Sequence, residues 1–281
     1  MRRLAVVLGL LVAVTYGVGD FFGGIASKRN PPSAVVAVSQ TFGLVIMVVL
    51  VVFDGSPFAG GDFGAGAAAG AIGLVGVLLL YRGLANGTMS VVAPITAVGA
   101  GVVPLAWGLL SGDRPSAVAL IGVAAALVAV ALVSTADAID DDRAATRTDI
   151  ALALTAGAAF GFVFVLLGTT DDSSGMWPVL GARLASVVIV TAAVLGARRP
   201  YRPVPGTLPA VAGAGVLDAG ANALYLLASR EGLLSLVSVL SSLYPAATIV
   251  LARFALHERM NRTQLLGIAL AMLGVILIAA G

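Results

Sequence analysis

Apolar residues fall in long unbroken runs along the chain, separated by short polar stretches rich in turn residues. A hydrocarbon core about 30 Å thick needs roughly 20 mainly apolar residues as a helix. That length predicts ten spanning helices, at about 4–25, 33–53, 64–84, 89–110, 116–135, 150–169, 176–196, 208–229, 232–256 and 262–280. The runs are continuous rather than alternating, which predicts helices and not a barrel. Lys28-Arg29-Asn30-Pro31-Pro32, Asp54-Gly55-Ser56-Pro57, Ser111-Gly112-Asp113-Arg114-Pro115 and Arg198-Arg199-Pro200 supply the turns. The longest break, near 136–149, holds Asp137, Asp140, Asp141, Asp142 and Asp149. Consecutive acids in a loop rarely converge on one ion, so a solvated linker is expected there rather than a metal site.

Composition sharpens this picture. Hydrophobic residues make up 59% of the 281 residues and charged residues 11%, with a mean hydropathy of +1.06. A soluble domain carries about 25% charged residues, so this chain is expected to be an integral protein of an inner or plasma membrane. The net charge of +2 is carried by arginines placed mostly between apolar runs, where they speak of topology and not of nucleic acid. There is no cysteine and one histidine, His257, which excludes disulfides, thiolate chemistry and a multi-histidine metal site. No cofactor and no metal are expected. The first run could pass for a signal peptide, but it contains Asp20 and lacks a small-residue cleavage pattern, so it reads as the first spanning helix. The 35 glycines include the pairs Gly19/Gly23, Gly66/Gly70 and Gly157/Gly161 at GxxxG spacing, read as helix packing.

The chain echoes itself at about half its length. Asp113-Arg114 and Glu258-Arg259 lie 145 positions apart, and each is followed by a near-identical pentapeptide, Leu120-Ile121-Gly122-Val123-Ala124 and Leu265-Leu266-Gly267-Ile268-Ala269. Tyr16-Gly17 matches Phe160-Gly161 and Tyr81 matches Tyr225 at an offset of 144, while Gln40 falls opposite Arg183 at 143. The expected organisation is a first five-helix repeat at 1–136, an acidic linker at 137–149 and a second five-helix repeat at 150–281. An odd number of spans per repeat gives the halves opposite orientations. Such inverted repeats place the substrate sites of transporters near the bilayer midplane.

These residues resemble the EamA-type, ten-helix members of the drug/metabolite transporter superfamily over essentially the whole chain. The resemblance rests on the five-plus-five layout and on Tyr16-Gly17, where the family commonly has Trp-Gly. It rests also on Ala93-Pro94-Ile95, on Leu243-Tyr244-Pro245, and on the endings Gly112-Asp113-Arg114 and His257-Glu258-Arg259. The sequence departs from the pattern at Ala100, which replaces the aligned proline, at Asp113, which replaces Glu, and at His257, which replaces Gly. The resemblance implies secondary transport of a small metabolite, with export as the expected direction, and implies cytoplasmic termini. The Lys and Arg count runs the other way: Arg2, Arg3, Arg114 and Arg230 lie on the side of the N-terminus, and nine basic residues lie on the other.

Ionisable groups inside a spanning helix are costly and therefore candidates for function. Asp218, Asn222 and Tyr225 follow at helical spacing on one face. The carboxylate would grip a substrate amine or carry a coupling proton, or else close a buried salt bridge. Asp20, one turn beyond Tyr16, is a second proton carrier or a partner of Arg183. Arg183 lies about two turns inside the seventh helix and needs an acceptor, either Asp20, Asp218 or a substrate anion. Arg82 and Arg253, near helix ends, are read as snorkelling. Tyr81 and Tyr244 are candidate cavity residues, whereas Trp107 and Trp177 fit a cavity or an interfacial belt. Pro94, Pro104 and Pro245 are candidate helix breaks, because each removes a backbone donor.

The expected function is alternating-access transport of a small amino-acid-like or other polar solute, with H+ as a candidate coupling ion. The cavity is expected to be lined by helices 1, 3, 4, 6, 8 and 9. The expected partners are that solute and the lipid bilayer, with no nucleic acid, in a monomer or homodimer. A flippase-like carrier of a lipid-linked head group and a non-transporting structural protein are alternatives. A membrane-embedded enzyme is disfavoured by the lack of cysteine and of paired acids within a helix.

Overall fold

The computed structural model of the chain describes residues 3–85, 89–135, 147–198, 201–255 and 262–281, with the side chains at 80–94, 133–135, 149, 249, 252, 253 and 255 left aside. The linker acids from Asp137 to Asp142, the side chains of Asp149, Tyr81, Arg82, Pro94 and Arg253, and the His257-Glu258-Arg259 ending lie outside what is described. Among the described residues every regular element is helical: α1 (Arg3–Ser27), α2 (Pro32–Asp54), α3 (Gly60–Ala85), α4 (Met89–Ser111) and α5 (Ala117–Thr135), then α6 (Arg147–Gly168), α7 (Trp177–Gly196), α8 (Leu208–Glu231), α9 (Leu234–Ser241), α10 (Tyr244–Ala255) and α11 (Arg262–Ala280). A 3-10 turn at Asp172–Ser174 precedes α7. Seven of these helices, α1, α2, α3, α6, α7, α8 and α11, are long and apolar enough to cross a membrane on that measure alone.

One predicted span is two helices. The run at 232–256 is interrupted at Ser242-Leu243, between α9 and α10. Pro245 has no N–H to give Ser241 and its ring crowds that carbonyl. Tighter turns replace the lost bond: Leu243 N donates to Leu240 O at 3.2 Å and Ala246 N to Leu243 O at 3.0 Å. The hydroxyls of Ser241 and Ser242 also donate back to Val237 O and Val239 O, both at 2.8 Å. The other two candidate breaks correct the expectation, because α4 runs uninterrupted through Pro94 and Pro104. A spanning helix survives a proline where its neighbours re-satisfy the freed groups.

Small residues are prominent among the inward-facing positions. On α1, Ala5, Gly9, Ala13 and Gly17 are buried, while Leu4, Val7, Leu11 and Val14 are exposed. Lipid is as apolar as leucine, so helices gain by close backbone approach rather than by hiding bulk. At Gly70 on α3, a Cβ would stand 2.0 Å from the carbonyl oxygen of Ala182 on α7. At Gly215 on α8, it would stand 1.9 Å from that of Ser39 on α2. Only glycine permits either crossing, and both crossings flank the residues that matter below.

The most extensive pairings between the repeats recur when the repeats are exchanged, whereas α4–α5 has no comparable counterpart among the described residues. With α6 as the counterpart of α1, α7 of α2, α8 of α3, α9 and α10 of α4, and α11 of α5, the pair α1–α8 maps onto α6–α3 and the pair α2–α8 onto α7–α3. Likewise α1 against α9 and α10 maps onto α6 against α4, whereas α5–α11 and α2–α7 map onto themselves.

The loops repeat the theme. On the face that holds the N-terminus, the α2–α3 loop grips the α6–α7 loop. Asp54 accepts from Met176 N at 3.3 Å, Asp62 from Asp171 N at 3.1 Å, and Trp177 Nε1 donates to Ser56 O at 3.0 Å. Arg230, in the last turn of α8, donates to Asp171 O at 3.1 Å, Gly175 O at 2.9 Å and Ser174 Oγ at 3.2 Å. Asp113 accepts from Ser235 N at 2.9 Å, which caps α9. Ser173, donating through its hydroxyl and then its backbone, holds the Asp171 carboxyl below the usual carboxylate range, and Arg230 adds to the effect. A lowered carboxyl contributes stability above its ordinary pKa and loses it as pH falls through the lowered value. On the opposite face the exchanged loops meet: Val204 N donates to Asn30 Oδ1 at 2.6 Å, and Asn30 Nδ2 donates to Thr207 Oγ1 at 3.0 Å.

Gly70→Ala is expected to destabilise the protein by about 1–3 kcal/mol, the cost of overpacking a tight contact. Gly220→Ala, where a Cβ meets nothing within 4 Å, is expected to change stability by less than about 0.5 kcal/mol. Thermal unfolding in detergent compares the two. Equal unfolding temperatures would contradict the close-approach account.

Candidate functional site

The charged residues inside the bundle converge near its middle. By the 1.5 Å rise of a helix, Arg183 lies about 9 Å from the start of α7, Gln40 about 12 Å from the start of α2 and Asp218 about 15 Å from the start of α8. Asp20 lies about 10 Å from the end of α1, because that helix runs on to Ser27.

Arg183 Nη1 is ion-paired with Asp218 Oδ2 in a short contact, and donates to Gln40 Oε1 at 2.8 Å. The two positions that echo each other in sequence thus bond to each other across the repeats. The Arg183 side chain is 5% exposed and that of Asp218 37%, so the guanidinium sits behind and the carboxylate borders open space. Arg183 Nε finds no acceptor among the described residues. Asn222, one turn beyond Asp218, donates to Asp218 O at 2.9 Å and accepts from Tyr16 OH at 2.8 Å. This chain of bonds connects α1, α2, α7 and α8.

The open space is a cavity of about 130 Å³. Its polar rim is Tyr16, Asp20, Gln40, Arg183, Asp218 and Asn222, and its other walls include Ala69, Gly70, Phe160, Phe164 and Tyr244. A single water needs only about 10–15 Å³ on this scale, so the space admits a small solute. A second cavity of about 60 Å³ shares Tyr16, Asp20, Gln40, Val77 and Asp218 with the first. It continues past Gly19, Gly23, Val35 and Ala214 towards the face opposite the N-terminus. Helices α2 and α7 therefore join the expected lining set, because Gln40 and Arg183 reach into it.

The candidate residues separate into three groups. Tyr16, Asp20, Arg183, Asp218, Asn222 and Tyr244 come together around the cavity. Asp20 makes no hydrogen bond or ion pair among the described residues, whereas Asp218 is already matched by Arg183. Tyr225 corrects the expectation. It is fully buried, stacks on Phe164 with ring centroids 4.3 Å apart, and bonds to Phe164 O at 3.1 Å and Ser238 Oγ at 2.7 Å. It shares the face of Asp218 but lies two turns further along, past the end of the cavity. Trp177 belongs to the loop contact on the N-terminal face, packed edge-on against Phe58 at 4.9 Å.

Sequence reasoning passed over Phe160, Phe164 and Ser186 as lining residues. A signal existed for the first: Phe160 is the repeat counterpart of Tyr16 and meets the same cavity. Phe164 carries the same mark, as the counterpart of Asp20 at an offset of 144, whereas Ser186 carries none in an apolar helix. Their place follows from how α6 and α7 are rotated.

Comparison with known proteins agrees with this architecture. The sequence profile of the EamA-like transporter family matches residues 3–135 and again 147–280. An uncharacterized protein of Methanocaldococcus jannaschii is 29% identical over 131 residues, which is 46% of this chain and 96% of that protein. That whole protein thus corresponds to about one repeat here. A solved crystal structure with 15% sequence identity superposes with a TM-score of 0.83, covering 99% of this chain and 96% of the other, which is a likeness of fold. With both halves of the chain matched, the protein belongs to the EamA-like transporter family and is an integral membrane transporter of the drug/metabolite transporter superfamily.

Proposed function

We propose that this protein is a secondary transporter of the cell membrane that exports a small polar solute by alternating access. The two repeats lie in the membrane with opposite orientation and rock about the midplane cavity. The observation that carries this reading is the cavity itself, lined by both repeats and containing Asp20, Arg183 and Asp218 in an otherwise apolar interior. Charges at such depth are costly and persist where they serve a solute or ion.

The paired loop contacts supply the gates. The clasp on the N-terminal face holds that side together, while the second cavity reaches towards the other face. Exchange of the repeats maps one clasp onto the other, so breaking the first and tightening the second converts one access state into its mirror. The Arg183–Asp218–Gln40 bonds serve as the fulcrum, because they hold α2, α7 and α8 at the level of the cavity in both states.

Two outcomes are expected. Arg183→Met alone leaves a carboxylate without its partner and is expected to cost up to about 3–5 kcal/mol, reduced by the exposed edge of Asp218. The double variant Arg183→Met with Asp218→Leu should recover most of that stability without recovering solute flux in proteoliposomes. Full flux in the double variant would remove the pair from the transport site. For the gate, Arg230→Ala is expected to cost about 1–2 kcal/mol of clasp energy and shift the population towards access from the N-terminal face. The chain has no native cysteine, so Ala69→Cys reports directly through labelling with an impermeant maleimide. Labelling from that face should rise roughly fivefold or more, and an unchanged rate would contradict the clasp's role.

A further inference from the structure

The cavity lining holds one more acidic than basic side chain, and the excess has an address. Arg183 and Asp218 cancel in their ion pair. Asp20 lines both cavities and has neither hydrogen bond nor ion pair among the described residues. Most of the surrounding donors are already committed, although Arg183 Nε is not, and none of them bonds to Asp20 among the described residues. Tyr16 OH is given to Asn222, Asn222 Nδ2 to the Asp218 carbonyl, and Ser186 Oγ to Gly70 O. Arg183 Nη1 is shared between Asp218 and Gln40, and the Gln40 amide points back to Asp218 at 3.5 Å. Tyr244, which closes the cavity from α10, offers at most a neutral phenol. A carboxylate in a largely apolar cavity without a counter-charge is costly, and either a proton or a positive charge carried by the solute offsets that cost.

The walls fit the same solute. Tyr16 and Tyr244 meet edge to face at 6.3 Å, and Tyr16 and Phe164 lie 6.2 Å apart, with Phe160 on the same wall. Aromatic faces attract an ammonium group electrostatically, and the attraction grows as water is excluded. Asp20 stands where the two cavities join, so a cation arriving from the face opposite the N-terminus meets it on the way in. Building on the transport reading above, we propose that the cavity takes a small organic monocation of the alkylammonium type, with Asp20 as its counter-charge and Tyr16, Tyr244, Phe160 and Phe164 as its aromatic wall. The Arg183–Asp218 pair then positions the helices around the solute without meeting its charge.

Binding and flux are measured separately on the purified full chain. Tetramethylammonium and choline are titrated by calorimetry in detergent, beside 3,3-dimethylbutanol, the uncharged isostere of choline, and acetate. Both cations are expected to bind, and the isostere and acetate are not. Asp20→Asn should weaken cation binding at least about tenfold, as expected for a lost charge-assisted contact, while Asp20→Glu retains it. Gel filtration and an unchanged unfolding temperature show that the variants are folded. Isostere binding equal to that of choline, or wild-type choline affinity in Asp20→Asn, would overturn the proposal. So would a role of Asp20 confined to protons, seen as pH-driven flux lost in Asp20→Asn with no cation binding in the wild type. Proteoliposome flux separates this from the wider reading. Cations that bind but never cross sink the transport mechanism and leave the site standing, whereas flux of neutral or anionic solutes alone sinks the cation site and leaves transport standing.

Discussion

A guanidinium cannot discharge itself, and Arg183 lies inside a bundle whose surroundings are hydrocarbon. That constraint organises the centre of the protein. Its acceptors come from two other helices, Asp218 on α8 and Gln40 on α2, so three helices must meet at one depth. To bring them there, α8 crosses α2 at Gly215 and α7 crosses α3 at Gly70 with backbones in direct contact. Side chains larger than hydrogen at those crossings would push the acceptors out of reach. Polar satisfaction and small-residue packing are thus one requirement seen from two sides.

The same requirement leaves room for function. Matching Arg183 with Asp218 makes the pair electrically quiet and commits most of the local donors, and among the described residues what stays unmatched is Asp20. In a soluble protein, water would serve such a carboxylate. In a membrane cavity of about 130 Å³ the proposed solute takes on that burden. The residue that first attracts attention, Asp218 with its polar stripe, is structural in its main contact, and the plainer residue beside it holds the uncommitted charge.

Duplication is the basis of the two access states proposed for this chain. Gln40 and Arg183 are counterparts, Tyr16 and Phe160 are counterparts, and the loop clasps on the two faces are counterparts as well. A sequence doubled and then diverged can place an arginine against its own echo. A contact broken on one face has an equivalent ready to form on the other.

The apolar runs and their turn residues determined the helices, because lipid requires each spanning segment to satisfy its own backbone. The predicted bounds agree with the described helices to within about four residues, the span at 232–256 being divided in two. The doubling and the family were also legible, from Asp113-Arg114 against Glu258-Arg259 and from Tyr16-Gly17 against Phe160-Gly161. Even the broken span was marked, by Pro245. Helical spacing could say that Asp218, Asn222 and Tyr225 share a face. It could not say that the cavity ends before Tyr225, or that Pro104 sits in an unbroken helix. The choice of partner for Arg183 likewise waited on tertiary structure, since Asp20 and Asp218 are equally acidic in sequence. Which carboxylate is matched and which is left free depends on how far α1 and α8 are rotated and how closely α2 approaches. Those are distances between segments far apart in the chain, and no local pattern records them.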